Sequence, residues 1–353
     1  VILEPTRPTT HLPNCMVRVF PIRKDQLDDQ ISNFPLTNAS HRLYSVFAFL
    51  PLDGTITQDI WAKRLEYDHE ITTPYYYSTL LGGSGNQLEF SPQKRSGYFR
   101  IHFVGNKKHF LRIGVFSGLG EIKIQDKRII SGIEEFSGMK AYFYAETDND
   151  IQEVQYQNPI DQKWVLLGVG EQPKQVSFRY GISYISIEQA KQNLLREIPD
   201  WNFEAVRNNA RKVWEKDLAQ INVKGGTTAQ KRVFYTSLYR CYERMVDINE
   251  YGKYYSAFDH KVHESNEPFF VDSWIWDMHI ALEPLHMILN PEKEIQKIRS
   301  YIKMYEQGGS MPSFALIFGD WPAMTGNYAA AWMTDAWFKG LRDFDLKTAY
   351  EGL

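Results

Sequence analysis

Between Val271 and Gly340 the segments Trp274-Ile275-Trp276-Asp277, Met311-Pro312, Gly319-Asp320-Trp321 and Met324-Thr325-Gly326-Asn327 punctuate successive helical patterns, and they set aromatics beside short polar groups. A pyranose offers flat C–H faces that pack on indole rings and a fixed ring of hydroxyls that carboxylates and amides bind, so a sugar cleft needs both residue types together. Trp276, Asp277, Asp320, Trp321 and Asn327 are the substrate-binding candidates on this ground. Taken singly, each tryptophan reads more readily as the core of a buried helix. For Asp277 a salt bridge or a bond to a neighbouring helix end competes evenly with binding of sugar hydroxyls.

The element that must carry Asp277 is read as one helix. Val271, Trp274, Ile275, Met278, Leu282, Leu285 and Leu289 fall on one stripe, while Ile280, Met287 and Ile288 make the remainder largely apolar. A helix apolar nearly all round is expected to be buried, with Asp277 on the flank of the stripe. Upstream, Ser186-Ile187-Glu188-Gln189 offers a serine N-cap with glutamine at the capping-box position, and helical spacing runs on to Gln220 with an interruption at Pro199. Ile221–Gly226 breaks the pattern before a further helix starts at Thr227. Before Ser186 the cadence is different. Cys15–Pro21, Leu43–Leu50, Gly97–Phe103, Phe110–Val115 and Lys140–Ala145 are β-branched or aromatic runs separated by Gly, Asn, Asp and Pro, which predicts an antiparallel sandwich. Leu80-Leu81-Gly82-Gly83-Ser84-Gly85-Asn86 lacks the lysine and the strand–loop–helix setting of a phosphate loop and reads as a connection.

Composition bounds these readings. A chain of 353 residues suggests two domains with sizeable cores. A formal net charge of −3 gives no electrostatic footprint for nucleic acid or an anionic membrane. No apolar run reaches the length of a membrane span, and Val1-Ile2-Leu3-Glu4-Pro5 does not read as a signal peptide. Cys15 and Cys241 are too few and too far apart for a zinc site or a disulfide framework. The aromatic fraction of 14% fits carbohydrate binding, although large β-rich cores show it too.

The motifs have a family counterpart. Ser186 to Trp214, Phe234–Arg240, Trp276-Asp277, Pro284-Leu285, Gly308–Pro312, Met324–Asn327 and Asp335–Gly340 resemble, in order and spacing, glycoside hydrolase family 92, the calcium-dependent α-mannosidases. His11–Arg18 and Asp29–Leu36 resemble a branch of the same family, so the likeness covers nearly the whole chain. It implies a β-sandwich over residues 1–185, a helical linker over 186–226 and the first part of an (α/α)6 barrel over 227–353, truncated at Leu353. Such a barrel has twelve helices, whereas the residues after Thr227 hold about five. The resemblance further implies release of mannose from α-mannosides, such as α-1,2-linked mannose of N-glycans or mannans, by a calcium-assisted inverting mechanism. The catalytic acid, the catalytic base and most calcium ligands are expected in the later part of the barrel, so none is named here. His11 becomes a candidate for a sandwich loop that caps the barrel mouth, with Trp201 and Trp214 holding the linker. A periplasmic, surface or secreted location is likewise implied. The remainder of the barrel, or a partner chain, is needed to cover the helical layer.

Two departures bear on specificity. Trp276-Asp277-Met278-His279-Ile280 lacks the arginine usual after the family's Trp-Asp, and Asn327-Tyr328-Ala329 replaces Asn-His-Ala. Glu267, Asp272 and Glu283 read as caps, solvated side chains or structural partners rather than catalytic groups. His260 and His263 have a spacing that suits a metal, without an obvious third ligand and with the wrong donor for calcium. Two other classes remain open from the sequence: a non-catalytic carbohydrate-binding or scaffold fragment, and another glycosidase or a sugar phosphorylase on the same architecture.

Overall fold

The computed structural model describes residues 8–25, 27–40, 43–83, 85–171, 174–323 and 326–353. Of the sequence readings, Val1–Pro5 and the Met324-Thr325 part of one motif lie outside the described residues. Two compact units divide the chain, Val1–Glu215 and Lys216–Leu353.

Alternating apolar residues and frequent turns give the first unit two sheets. In one, the strands Glu153–Tyr156, Trp164–Gly170, His109–Gly114, Tyr44–Asp53 and Phe34–Ser40 lie side by side. The other has nine, in the order Gly120–Ile124, Ile129–Phe136, Met139–Thr147, Gln175–Ser183, Ser96–His102, Asn86–Pro92, Tyr76–Leu81, Leu65–Thr73 and Gln30–Ile31. Every pairing is antiparallel. The expected sandwich is therefore present. Phe49 of the smaller sheet stacks on Phe99 and Phe178 of the larger at 4.6 and 4.8 Å, and Phe47 meets Phe143 edge-on at 4.7 Å. The aromatic bias thus fills the space between the sheets, where each ring removes a large apolar area from water. Of the run Cys15–Pro21 only Arg18–Val19 is a strand, because the chain turns through Asn14 at φ 54° before it and Pro21 ends it.

The first helices pack on this sandwich. α1 (Ile187–Glu197) begins where Ser186 accepts the Gln189 amide at 3.1 Å, and α2 (Phe203–Leu218) follows Pro199. Ala190, Leu194, Ile198, Phe203 and Val206 close over Tyr76, Tyr98 and Tyr144 on the outer face of the larger sheet. Gly181 lets α1 approach: a Cβ there would lie 2.1 Å from the Ala190 carbonyl oxygen.

In the second unit α3 (Thr228–Cys241) starts at a complete capping box between Thr227 and Gln230. Short paired strands follow, then α4 (Ile275–Met278), α5 (Leu282–Leu289), α6 (Pro291–Gly308), α7 (Tyr328–Phe338) and α8 (Leu346–Gly352). Pro291 opens α6, and Gly309 at φ 81° closes it. Tyr301 and Trp332 join α6 to α7 edge-on at 5.2 Å, both buried. The single helix expected from Val271 to Leu289 is a correction: it is a strand end and two short helices. Pro284 is the reason. It has no N–H to give the carbonyl four residues back and its ring clashes there, so the helix restarts at Leu282 and places the proline in a first turn, where its missing donor costs nothing. The expectation of burial all round fails with it, since Ile280 and Ile288 are 74% and 78% exposed.

Candidate functional site

The chain reaches α4 through Phe270–Val271, which pairs with Val246–Asp247, and then through Asp272, buried in the left-handed region at φ 60°. The Ser273 amide donates to the Ala315 carbonyl at 2.8 Å, so the entry to α4 is tied to the hairpin Ala315–Leu316/Gly319–Asp320. Trp274 reinforces that tie: its ring lies 5.4 Å from Phe314 and under the Arg244 guanidinium at 4.1 Å. With Ile275 and Met278 turned into the core, the single turn of α4 leaves Trp276 and Asp277 on its open side. Trp276 is 41% exposed. Among the described residues the Asp277 carboxylate meets no hydrogen-bond or ion-pair partner, so neither competing structural role is filled there.

The hairpin supplies the next two candidates. Asp320 Oδ1 accepts the Phe314 amide at 2.7 Å and the Ser313 hydroxyl at 3.3 Å, which fixes the carboxylate on its loop. Trp321 follows, its amide on the Phe314 carbonyl at 3.0 Å and its ring 45% exposed. Phe314 thus links both ends, touching Trp274 by its ring and Asp320 and Trp321 by its backbone. At the start of α7, Asn327 accepts the Ala330 amide at 3.3 Å and donates to the Leu353 carbonyl at 3.0 Å, so both ends of its amide serve as a helix cap. The His279 ring packs on Tyr328 at 4.6 Å, which brings the end of α4 to the start of α7. The entry of α4 is thus tied to the hairpin and its end to the start of α7, while among the described residues no hydrogen bond or ring contact joins Trp276 or Asp277 to Asp320 or Trp321.

His11 lies in the first unit and is fully buried. Its Nδ1 pairs with the Leu12 carbonyl at 2.8 Å, its ring meets Trp214 edge-on at 5.4 Å, and its carbonyl accepts Trp214 Nε1 at 2.6 Å. Burial pushes its pKa down to about 3, so the imidazole is neutral. A sugar hydroxyl would have to displace this packing to reach it; what the residue does in the structure is hold α2 to the sandwich. His263 pairs with Asp259 at 3.0 Å and His260 with the Tyr255 hydroxyl at 3.2 Å, and Glu267 with Arg299 at 3.0 Å.

Sequence reasoning missed a buried ionic cluster. Among the described residues Glu283, His286 and Glu294 form a group with metal-ligand spacing, but Lys297 stands between them. Its Nζ is 2.5 Å from Glu283, 2.8 Å from His286 Nδ1 and 3.0 Å from Glu294, and Trp332 Nε1 donates to Glu294 at 2.6 Å. Calcium takes six to eight oxygen ligands. A histidine nitrogen and a resident ammonium do not fit it, so the cluster is not a calcium cradle. The only sequence signal was the i, i+3 spacing of Glu283 with His286 and of Glu294 with Lys297; their meeting across α5 and α6 is tertiary.

A two-sheet antiparallel sandwich joined to a helical unit is an architecture that sandwich-and-barrel glycosidases use, among other proteins. Two family models specify it further: the glycosyl hydrolase family 92 N-terminal domain matches residues 4–183, and the glycosyl hydrolase family 92 catalytic domain matches residues 189–353. The chain belongs to glycosyl hydrolase family 92. An inverting mannosidase of that family from Bacteroides thetaiotaomicron superposes with a TM-score of 0.91 at 25% identity, over 98% of this chain and 51% of that one. A family 92 α-mannosidase from the same organism shares the fold, with a TM-score of 0.88 at 19% identity, over 98% and 53%. An uncharacterised secreted glycosidase of Arthroderma benhamiae is 31% identical over 125 residues, 31% of this chain and 15% of that protein. The chain thus spans about half the length of the solved structures it matches.

Proposed function

We propose that this chain is the sandwich and early barrel of an exo-acting α-mannosidase and that Asp277 binds the mannose to be released. The observation that carries the reading is the Asp277 carboxylate, without a protein partner among the described residues and beside the exposed Trp276 on α4. An ionised carboxylate accepts hydrogen bonds from two adjacent sugar hydroxyls, and an indole covers the apolar ring face. Trp321 and Asp320 would bound the same sugar from the hairpin, while Asn327 keeps the start of α7 in place. Hydrolysis with inversion needs a protonated carboxyl at the leaving oxygen and a carboxylate opposite that activates water, roughly 6.5–9.5 Å apart. Those two groups belong to the complete enzyme, and Asp277 is assigned to binding. Calcium, where bound, would supply a hard Lewis-acidic contact to sugar hydroxyls; the Glu283, His286 and Glu294 cluster, with Lys297 between its members, does not fit it. A periplasmic, surface or secreted setting suits an enzyme that trims mannans or N-glycans.

In the complete enzyme Asp277→Asn should lower kcat/KM for α-1,2-mannobiose by at least about 100-fold, the loss of two charge-assisted hydrogen bonds, with an unchanged melting temperature. Activity within a few-fold of the parent would overturn the assignment. Chelation should stop mannose release by the complete enzyme, and added calcium should restore it; activity that persists after exhaustive chelation would remove the metal from the proposal.

A further inference from the structure

A second place in the molecule pairs an open indole with polar side chains. It lies wholly within the first unit. A cavity of about 530 Å³ is bounded by the loop Asp126–Arg128, by the end of the strand Met139–Thr147, by Asp150 and by Trp201. That volume lies in the range of small-molecule sites, about 300–1,000 Å³, and leaves room for a short oligosaccharide.

Its walls are fixed. Asp126 Oδ1 accepts the amides of Arg128 and Ile129 at 2.7 and 3.0 Å, and the Ile151 amide donates to the Lys127 carbonyl at 2.7 Å. Trp201, between α1 and α2, is 41% exposed yet held. The Arg179 guanidinium lies over its ring at 4.3 Å, and Tyr98 meets it edge-on at 6.1 Å. Arg179 is itself anchored by Glu146 at 2.6 Å and by the Ile198 carbonyl at 2.9 Å. A buried, anchored cation thus backs one side of the indole, and the surface left open is the part that lines the cavity. Such an indole is a preorganised platform that loses little entropy when a ligand stacks on it.

The rim decides the ligand class. It carries Lys127 and Arg128 against Asp126, Glu146 and Asp150; Arg128 Nε is bonded to Asp150 at 2.6 Å and Glu146 is taken by Arg179. Two cations against three carboxylates give a phosphate or a polyanion no net attraction. They leave donors and acceptors side by side, which is what vicinal hydroxyls match.

We propose that this cavity is an accessory carbohydrate site that takes a neutral pyranose of a glycan chain, stacked on Trp201 with its hydroxyls toward Asp150, Lys127 and Thr147. Only the choice of mannan as first probe rests on the function proposed above. The test is affinity electrophoresis of the full chain in gels containing a soluble α-mannan, a neutral β-glucan or a galactan. At least one polysaccharide should retard the wild type. Trp201→Ala should then weaken binding at least tenfold, and Asp150→Asn about threefold with unchanged melting. Wild-type migration unaffected by all three polysaccharides overturns the site. So does Asp150→Asn retarded as strongly as the wild type, a result that stands even where Trp201→Ala is unstable. Asp277→Asn separates the two proposals: retention lost in that variant and kept in Trp201→Ala places binding in the second unit and ends this inference while leaving the mannosidase reading intact.

Discussion

Lys297 shows how a buried group is tolerated at the scale of one residue. Its three ammonium hydrogens meet three acceptors, on Glu283, His286 and Glu294, and all four side chains are at most 1% exposed. Burial and the nearby lysine keep His286 neutral, so its Nδ1 accepts. Burial outweighs the attraction of Lys297 at Glu283 and, helped by Glu294, raises that carboxyl to about 8. Between the ordinary 4.5 and 8 the folded chain therefore holds a proton that the unfolded chain has lost. This contribution to stability is greatest below that window and falls as pH rises through it. Below about pH 6.5 the depressed His11 and His286 give the opposite slope, since the unfolded chain there binds protons that the folded imidazoles refuse. The melting temperature should therefore decline from about pH 7 to pH 8, and Glu283→Gln should flatten that decline. Glu134, raised by burial to about 7, adds a slope of the same sign in the first unit, so the difference between wild type and variant is the readout. Equal slopes would show that Glu283 titrates normally. Lys297→Met should cost about 3–5 kcal/mol, because a fully buried acidic pair then loses the cation that both members contact; a variant as stable as the parent would mean that the ammonium contributes no net stability to the cluster.

At the scale of elements, local signals were legible and tertiary ones were not. The serine cap at Ser186 is made as its spacing suggests, and the strand cadence gave the antiparallel sandwich, because caps and period-2 patterns depend on neighbours in sequence. The apolar stripe from Val271 to Leu289 misled, since periodicity counts side chains and ignores the missing N–H of Pro284. Of the candidate site, residue types were readable; the ties that place them, such as Ser273 to Ala315 and Trp274 to Phe314, and the 203-residue span from His11 to Trp214, were not. Gly181 is another such case. Nothing local marks it, yet α1 crosses the sheet there so closely that a methyl group has no room. Gly181→Ala should destabilise the first unit by about 1–3 kcal/mol and lower its thermal transition by several degrees. Gly83→Ala, whose added Cβ meets nothing within 4 Å, is the control. Equal melting of both variants would show that α1 can shift away without loss.

For the whole molecule, both units leave single apolar side chains in water, Leu27 and Ile160 in loops of the first among them, but the second carries them on its helices as well. In the first, the sheets enclose the aromatic core and α1 with the start of α2 seals the outer face of the larger sheet. In the second, Phe338, Ile288 and Val233 on three helices and Ile280 in the turn between α4 and α5 stand 81%, 78%, 67% and 74% exposed. A groove between Met333, Trp337, Leu346 and Tyr350 adds to that surface. The helical side chains of the second unit should have a consequence visible in solution. The chain should self-associate at tens of micromolar and bind a hydrophobic dye, and Ile288→Lys with Phe338→Lys should reduce both without lowering the melting temperature, because neither side chain is buried. Light scattering across a dilution series checks it: a parent chain that stays monomeric and binds no dye would mean that these side chains are scattered too thinly to act as one surface.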